Sequence, residues 1–132
     1  MTFLERGNIL IRGIGTDIVE IERIKKAIKS NPNFINRFFT QKEIEYFKLR
    51  KFNANTISGN FAAKEAVSKA LGSGFRGFGL KDIEVLRDEL GKPIVNLSDK
   101  LYKMFNLDNY NIFISISHSN TDAIAYAIIE VI

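Results

Sequence analysis

The sequence predicts an α+β fold, an antiparallel sheet packed with helices. Three observations carry that expectation. Ile- and Val-rich segments near both ends of the chain, 9–21 and 111–131, read as strands. Apolar residues recur at helical spacing between positions 21 and 71. Strands and helices do not alternate regularly, which argues against a parallel βαβ sheet. Residues 1–132 show no repeat, no low-complexity stretch and no linker, and Pro occurs only at 32 and 93, so a single domain is expected.

The elements follow in order. Ile9–Ile21 reads as a strand broken by Gly13 and Gly15, points where another backbone approaches. From Ile21 the period changes: Ile21, Ile24 and Ile28 share one helical face, with Arg23, Lys25, Lys26 and Lys29 between them. Asn31-Pro32 stops that helix. Phe34, Ile35, Phe38 and Phe39 suggest another helical turn, and Thr40-Gln41-Lys42-Glu43 is a capping box opening a helix through Ile44 and Phe47. A helix from about Asn55 to Leu71 ends at Gly72, and its alanines 62, 63, 66 and 70 permit close packing. Gly72–Gly79 is a glycine-rich loop. Ile83–Arg87 and Ile94–Leu97 form a hairpin around Glu89–Pro93, and Ser98 caps a helix to about Asn106. Asn111–Ser117 is a strand with Ile112, Ile114 and Ile116 on one face. A turn at Ser119–Asp122 leads into a last strand, Ala123–Val131.

Composition narrows the function. The chain has no cysteine, which excludes disulfide scaffolds, thiolate nucleophiles and iron–sulfur clusters, and its single histidine, His118, excludes a multi-histidine metal site. No apolar run reaches the length of a membrane span, and Met1–Asn8 lacks a signal-peptide core, so a cytoplasmic protein is expected. The net charge of +4 favours acidic partners.

Three segments carry candidate chemistry. Asp17 lies in an otherwise apolar strand, where a carboxylate either accepts backbone hydrogen bonds or serves a site. Phe61, Glu65 and Lys69 line one helical stripe. A lone Glu–Lys pair at that spacing is an ordinary surface pair, but Phe61 and the alanines point to partial enclosure. Two carboxylates from separate elements plus a lysine suit Mg²⁺ and a phosphate. The chain has no Walker A loop, and Gly13-x-Gly15 lacks the third glycine of a dinucleotide fingerprint. His118, between Ser117 and Ser119, reads as a turn histidine, a phosphate contact or a proton carrier. The basic helix face, with Arg37 nearby, reads as a solvated face or as a landing surface for an acidic helix.

Taken together, the motifs resemble holo-[acyl-carrier-protein] synthases, the short type of 4′-phosphopantetheinyl transferase. The resemblance rests on G-I-G-T-D-I-V-E-I-E-R-I at 13–24, R-F-F-T-x-x-E at 37–43, F-A-A-K-E-A-x-S-K-A-L-G at 61–72, G-K-P at 91–93 and S-I-S-H-S at 115–119. It implies transfer of the 4′-phosphopantetheine arm of coenzyme A to a serine of apo-acyl carrier protein, in support of fatty acid biosynthesis. By resemblance, Asp17 and Glu65 are the Mg²⁺ ligands, and they form the catalytic set with Lys69. Asn60, Lys64, Lys69, Gly72, Ser117 and His118 would contact coenzyme A. Arg23, Lys26 and Arg37 would meet the carrier protein. The resemblance further implies a homotrimer with sites between subunits, and neither a nucleic acid nor a membrane as partner.

Two positions depart from related patterns. Many relatives carry Arg immediately before the Phe of F-A-A-K-E-A, where this chain has Asn60; Arg50 or Lys51 could supply the charge. The longer transferases place Glu two residues after the metal-binding Asp, where this chain has Val19. A metal-bound water, Glu65 or Glu20 are the candidate bases. Two other readings stand beside this one: a basic single-strand-binding module using its eleven Phe and four Tyr, and an inactive coenzyme A binder.

Overall fold

The computed structural model describes residues 10–72 and 77–132. The elements run β1 (Leu10–Glu20), α1 (Ile21–Ser30), α2 (Phe34–Phe38), α3 (Gln41–Leu49), α4 (Ala54–Leu71), β2 (Ile83–Arg87), β3 (Pro93–Leu97), α5 (Asp99–Phe105), β4 (Tyr110–His118) and β5 (Asp122–Val131). A 3-10 turn, Leu80–Asp82, leads into β2. Of the expected segments, Ile9, Met1–Asn8 and part of the glycine-rich loop lie outside the described residues.

The strands form two antiparallel sheets. One has the order β1-β5-β4, and the other is the β2–β3 hairpin. In the larger sheet Asp17 pairs with Ala125, and Glu20 with Asp122. The register of β1 shifts between Ile11 and Gly13, a bulge that precedes the site-bearing half of the strand.

α4 packs across the inner face of that sheet. Small residues on both sides bring them close: Ala62, Ala63, Ala66 and Ala70 on the helix, and Ala123, Ala125 and Ala127 on β5, all buried. The tightest approach is at β1. A Cβ on Gly15 would run into the Ala66 carbonyl, and one on Gly13 into the Ala70 carbonyl. Strand and helix therefore touch backbone to backbone, which only glycine allows.

A second cluster, Ile24, Phe34, Phe39, Ile44, Phe47 and Ile57, binds α1–α3 to the start of α4. The capping box forms as the sequence predicts, Thr40 Oγ1 accepting from the Glu43 N–H and the Glu43 carboxylate from the Thr40 N–H. Asn53 opens α4 through a bond from the Asn55 N–H, and Gly72 closes it at φ 93°. Ser98 starts α5 by position only, since its hydroxyl is buried with no hydrogen-bond partner among the described residues.

Candidate active site

β1 and α4 supply the central groups from opposite sides of their contact. Asp17 points toward α4, as Gly13 and Gly15 do, because alternate strand residues share a face. Lys69, in the last turn of α4, donates to the Asp17 carboxylate at 3.1 Å and to the Thr16 carbonyl at 2.9 Å. The Glu–Lys surface pair that helical spacing allows is thus not the pair that forms; Lys69 reaches across to the strand instead. Asp17 is 18% exposed and Lys69 55%, so the bond closes over the carboxylate from its solvent side.

Glu65 sits one turn earlier on α4. Burial pushes its carboxyl pKa up, the Asp17 charge pushes the same way, and Lys69 opposes both. The two carboxylates therefore feel each other's charge. They line a cleft of about 570 Å³ together with Glu20, Arg23, Phe61 and Asp122. Two carboxylates held close against their own repulsion, with waters and a substrate phosphate to complete the shell, fit a hard divalent cation. Among the described residues no group of three or more metal-ligating side chains occurs, so such a cation would draw the rest of its shell from ligand and solvent.

The other expected residues divide. Arg23 lines the same cleft, exposed on the first helix, and Lys26 and Arg37 are exposed nearby in the chain. Ser117 lies on the outer face of the large sheet. His118 borders a second cleft, with Nε2 2.9 Å from the Asn55 carbonyl. Gly72 is exposed at the helix end with open space around it.

Lys64 and Asn60, expected to contact coenzyme A, both have their side chains turned into the protein. Neither has exposed surface. The Lys64 ammonium pairs with Glu43 and donates to the Phe38 carbonyl at 2.9 Å and the Leu80 carbonyl at 3.0 Å. With three donors engaged, it has none left for a bound molecule. Asn60 donates to the Val85 carbonyl at 3.0 Å and accepts from Arg87 at 2.9 Å. Both point to the α3 and β2 side of α4, away from the Glu65–Lys69 stripe, because helix position decides the neighbour.

The 4′-phosphopantetheinyl transferase superfamily model matches residues 13–128, nearly the whole described fold. The chain belongs to this family. A holo-[acyl-carrier-protein] synthase of Clostridium botulinum (strain Eklund 17B / Type B) is 99% identical over 123 residues, 93% of this chain and 100% of that protein. The fold is similar to a Helicobacter pylori holo-[acyl-carrier-protein] synthase in complex with coenzyme A (TM-score 0.79, 36% identity, 88% of this chain and 98% of that one). It is also similar to a Plasmodium yoelii acyl carrier protein synthase with ADP bound (TM-score 0.83, 34% identity, 96% and 99% covered). In this superfamily member the motif residues Asp17 and Glu65 line one cleft although 48 positions separate them in sequence, and Lys69 joins them through its bond to Asp17.

Sequence reasoning missed Arg87 and Asp122. Asp122 enters the carboxylate cleft through its pairing with Glu20. Arg87 ends a hairpin strand, and its partners Asn60 and Tyr46 are distant in sequence, so no local pattern marks it.

Proposed function

We propose that this chain transfers the 4′-phosphopantetheine group of coenzyme A to a serine of apo-acyl carrier protein, with Mg²⁺, releasing adenosine 3′,5′-bisphosphate. The observation that carries the reading is the Asp17–Lys69 bond beside Glu65 in an open cleft that Arg23 also borders.

The serine Oγ forms a bond to the phosphorus that bears the pantetheine arm. The bond from that phosphorus to the oxygen of the adenosine 5′-phosphate breaks, and the serine proton passes to a base. Asp17 and Glu65 would hold the cation, which when bound offsets charge on the pyrophosphate. Lys69, anchored by the Thr16 carbonyl and the Asp17 carboxylate, would add positive charge where the leaving phosphate develops. Phe61 lines the cleft with an apolar surface, which would limit water around the reacting phosphorus. The exposed positive groups of α1 steer an acidic carrier protein toward that mouth.

An assembly of three chains is supported by the outer face of the large sheet. Ile14, Ile18, Phe113, Ile124 and Tyr126 are 44–65% exposed there, a contiguous apolar surface unusual for a monomer. A cytoplasmic role in fatty acid biosynthesis fits such a reaction. No helix among the described residues is long and apolar enough to cross a membrane.

Intact-protein mass spectrometry tests the reading. Apo-acyl carrier protein incubated with the chain, coenzyme A and Mg²⁺ should gain the mass of one phosphopantetheine, and EDTA should prevent it. No gain with a folded enzyme and several carrier proteins would overturn the assignment.

A further inference from the structure

The register of β1 passes from Ile11, paired with Glu130, to Gly13, paired with Ile129, so Arg12 is the extra residue of the bulge. A bulge re-aims a side chain. Strict alternation would put position 12 on the outer face of the sheet with Ile14, Thr16 and Ile18, since Gly13 and Gly15 face α4. The Arg12 guanidinium instead reaches the end of α4, where its Nη1 donates to the Leu71 carbonyl at 3.1 Å. The same guanidinium lies 5.4 Å from the centre of the Phe105 ring on α5. One side chain thus joins β1, α4 and α5.

Leu71 is the last residue of α4, and its carbonyl is one that the helix leaves without a partner of its own. A cation there also complements the negative end of the helix dipole. Arg12 is half-buried, and no carboxylate among the described residues pairs with it, so its charge goes to the helix end. The contacts of Gly13 with Ala70 and of Gly15 with Ala66 set how near the helix comes to the strand. Such contacts limit approach but do little to stop two backbones sliding past each other. A hydrogen bond is directional and resists that slide. Arg12 therefore fixes how far along β1 the last turn of α4 sits. Lys69 stands in that turn, and its ammonium must meet both the Thr16 carbonyl and the Asp17 carboxylate.

Resting on the transferase reading above, we propose that Arg12 is a positioning residue for the transfer. It locks the last turn of α4 to the β1 bulge and so sets where the Lys69 ammonium stands beside Asp17. Arg12 lines neither the carboxylate cleft nor the smaller hollow that Lys69 borders with Ile14, Gly15, Thr16 and Tyr126, so it acts through Lys69 and not on substrate. A shift on the order of 1 Å in a group that stabilises developing charge is enough to lower the rate steeply. A lysine at the same position would keep a donor for the Leu71 carbonyl but lose the planar face that stacks on a ring.

The test measures transfer kinetics at varied coenzyme A for wild type, R12M, R12K, K69M and R12M/K69M, each with a native circular dichroism spectrum. R12Q repeats the comparison should R12M not fold. R12M should lower kcat about tenfold and move KM for coenzyme A by less than about twofold. R12K should recover most of that loss. In the K69M background, R12M should change the residual rate by less than about twofold, because the group it positions is gone. An equal loss in both backgrounds would show an effect on the fold at large and overturn the proposal. So would an unchanged kcat in R12M, or a raised KM with kcat intact, which would make Arg12 a ligand contact. Melting curves read the same link without transfer: the Tm drop caused by K69M should shrink to less than about half in R12M. Equal drops would overturn the link. A wild type that transfers nothing to several carrier proteins overturns the transferase reading, and with it the catalytic sense of Arg12, even where the Tm coupling holds.

Discussion

Lys64 and Glu43 form an ion pair with no exposed surface on either side chain. The pair sits within a cage of main-chain groups. The carboxylate accepts from the Thr40 and Val85 N–H groups, and the ammonium donates to the Phe38 and Leu80 carbonyls. It ties α2, α3, β2 and the 3-10 turn to the middle of α4. Burial pushes the Glu43 pKa up and the Lys64 pKa down, so the charges persist only through each other and those hydrogen bonds.

Lys64→Met should destabilise the fold by about 3–5 kcal/mol, the usual cost of leaving a buried charge without its partner. The double variant E43L/K64M should not recover wild-type stability, because the Thr40 and Val85 N–H groups and the Phe38 carbonyl would lose these partners, while the Leu80 carbonyl keeps its bond from the Ile83 N–H. Urea denaturation measures both. Recovery to within about 1 kcal/mol would show that the cage matters less than the geometry implies.

Glu65→Gln should abolish transfer yet stabilise the protein. The folded carboxyl has a raised pKa, so the native state holds a proton over a range where the unfolded chain has lost it. Native stability then falls as pH rises from the ordinary carboxylate value through the raised one. The Tm advantage of the variant should be near zero at pH 4 and reach about 1–3 °C at pH 7, since Glu65 is partly open to solvent and screened. Melting curves in EDTA check it; a gap that shrinks with rising pH would reverse the sign argued here.

Gly15→Ala should cost about 2–3 kcal/mol or more, because the new methyl meets the Ala66 carbonyl and backbone must move. Activity should drop further than stability accounts for, since Asp17 and Glu65 sit on the two elements pushed apart. Specific activity measured on the folded fraction separates the effects. Full activity per folded molecule would show that the spacing tolerates adjustment.

Arg23→Glu should lower kcat/KM for carrier protein about tenfold or more at low salt while changing KM for coenzyme A little. The salt dependence of the carrier-protein rate should flatten in the variant. Parallel losses toward both substrates would place Arg23 in cleft architecture rather than in carrier-protein steering.

Ile18→Glu should break the assembly inferred from the outer sheet face, where Ile18 is 65% exposed. Light scattering coupled to size exclusion reads the mass of wild type and variant. A monomeric wild type would remove the reason for that face.

Much of this was legible because it is local. Thr40 and Glu43 lie three residues apart, so their capping box shows in sequence, and the Ile21–Ile24–Ile28 spacing marks α1 from its first residue. Asp17, Glu65 and Lys69 were legible as types in a pattern, although their meeting depends on how α4 lies against β1. The burial of Lys64 and Asn60 was not legible, because each lies within five residues of Glu65 but faces another direction on the helix. Their partners, Glu43 and Arg87, belong to α3 and β2, and no spacing rule reaches that far. The second role of Glu43, beyond capping, was hidden for the same reason.

The contact between Gly15 and the Ala66 carbonyl has one more consequence. The gap between the acid on the strand and the acid on the helix is set by two peptide backbones in direct contact at Gly13 and Gly15, without a side chain between them there. Exchanging one apolar residue for another elsewhere in the interior, away from the alanines between α4 and β5, therefore gives little leverage on that gap. The dimension most critical for seating a cation is decoupled from the volume of the hydrophobic interior, and the latter can be repacked while the former stays constant.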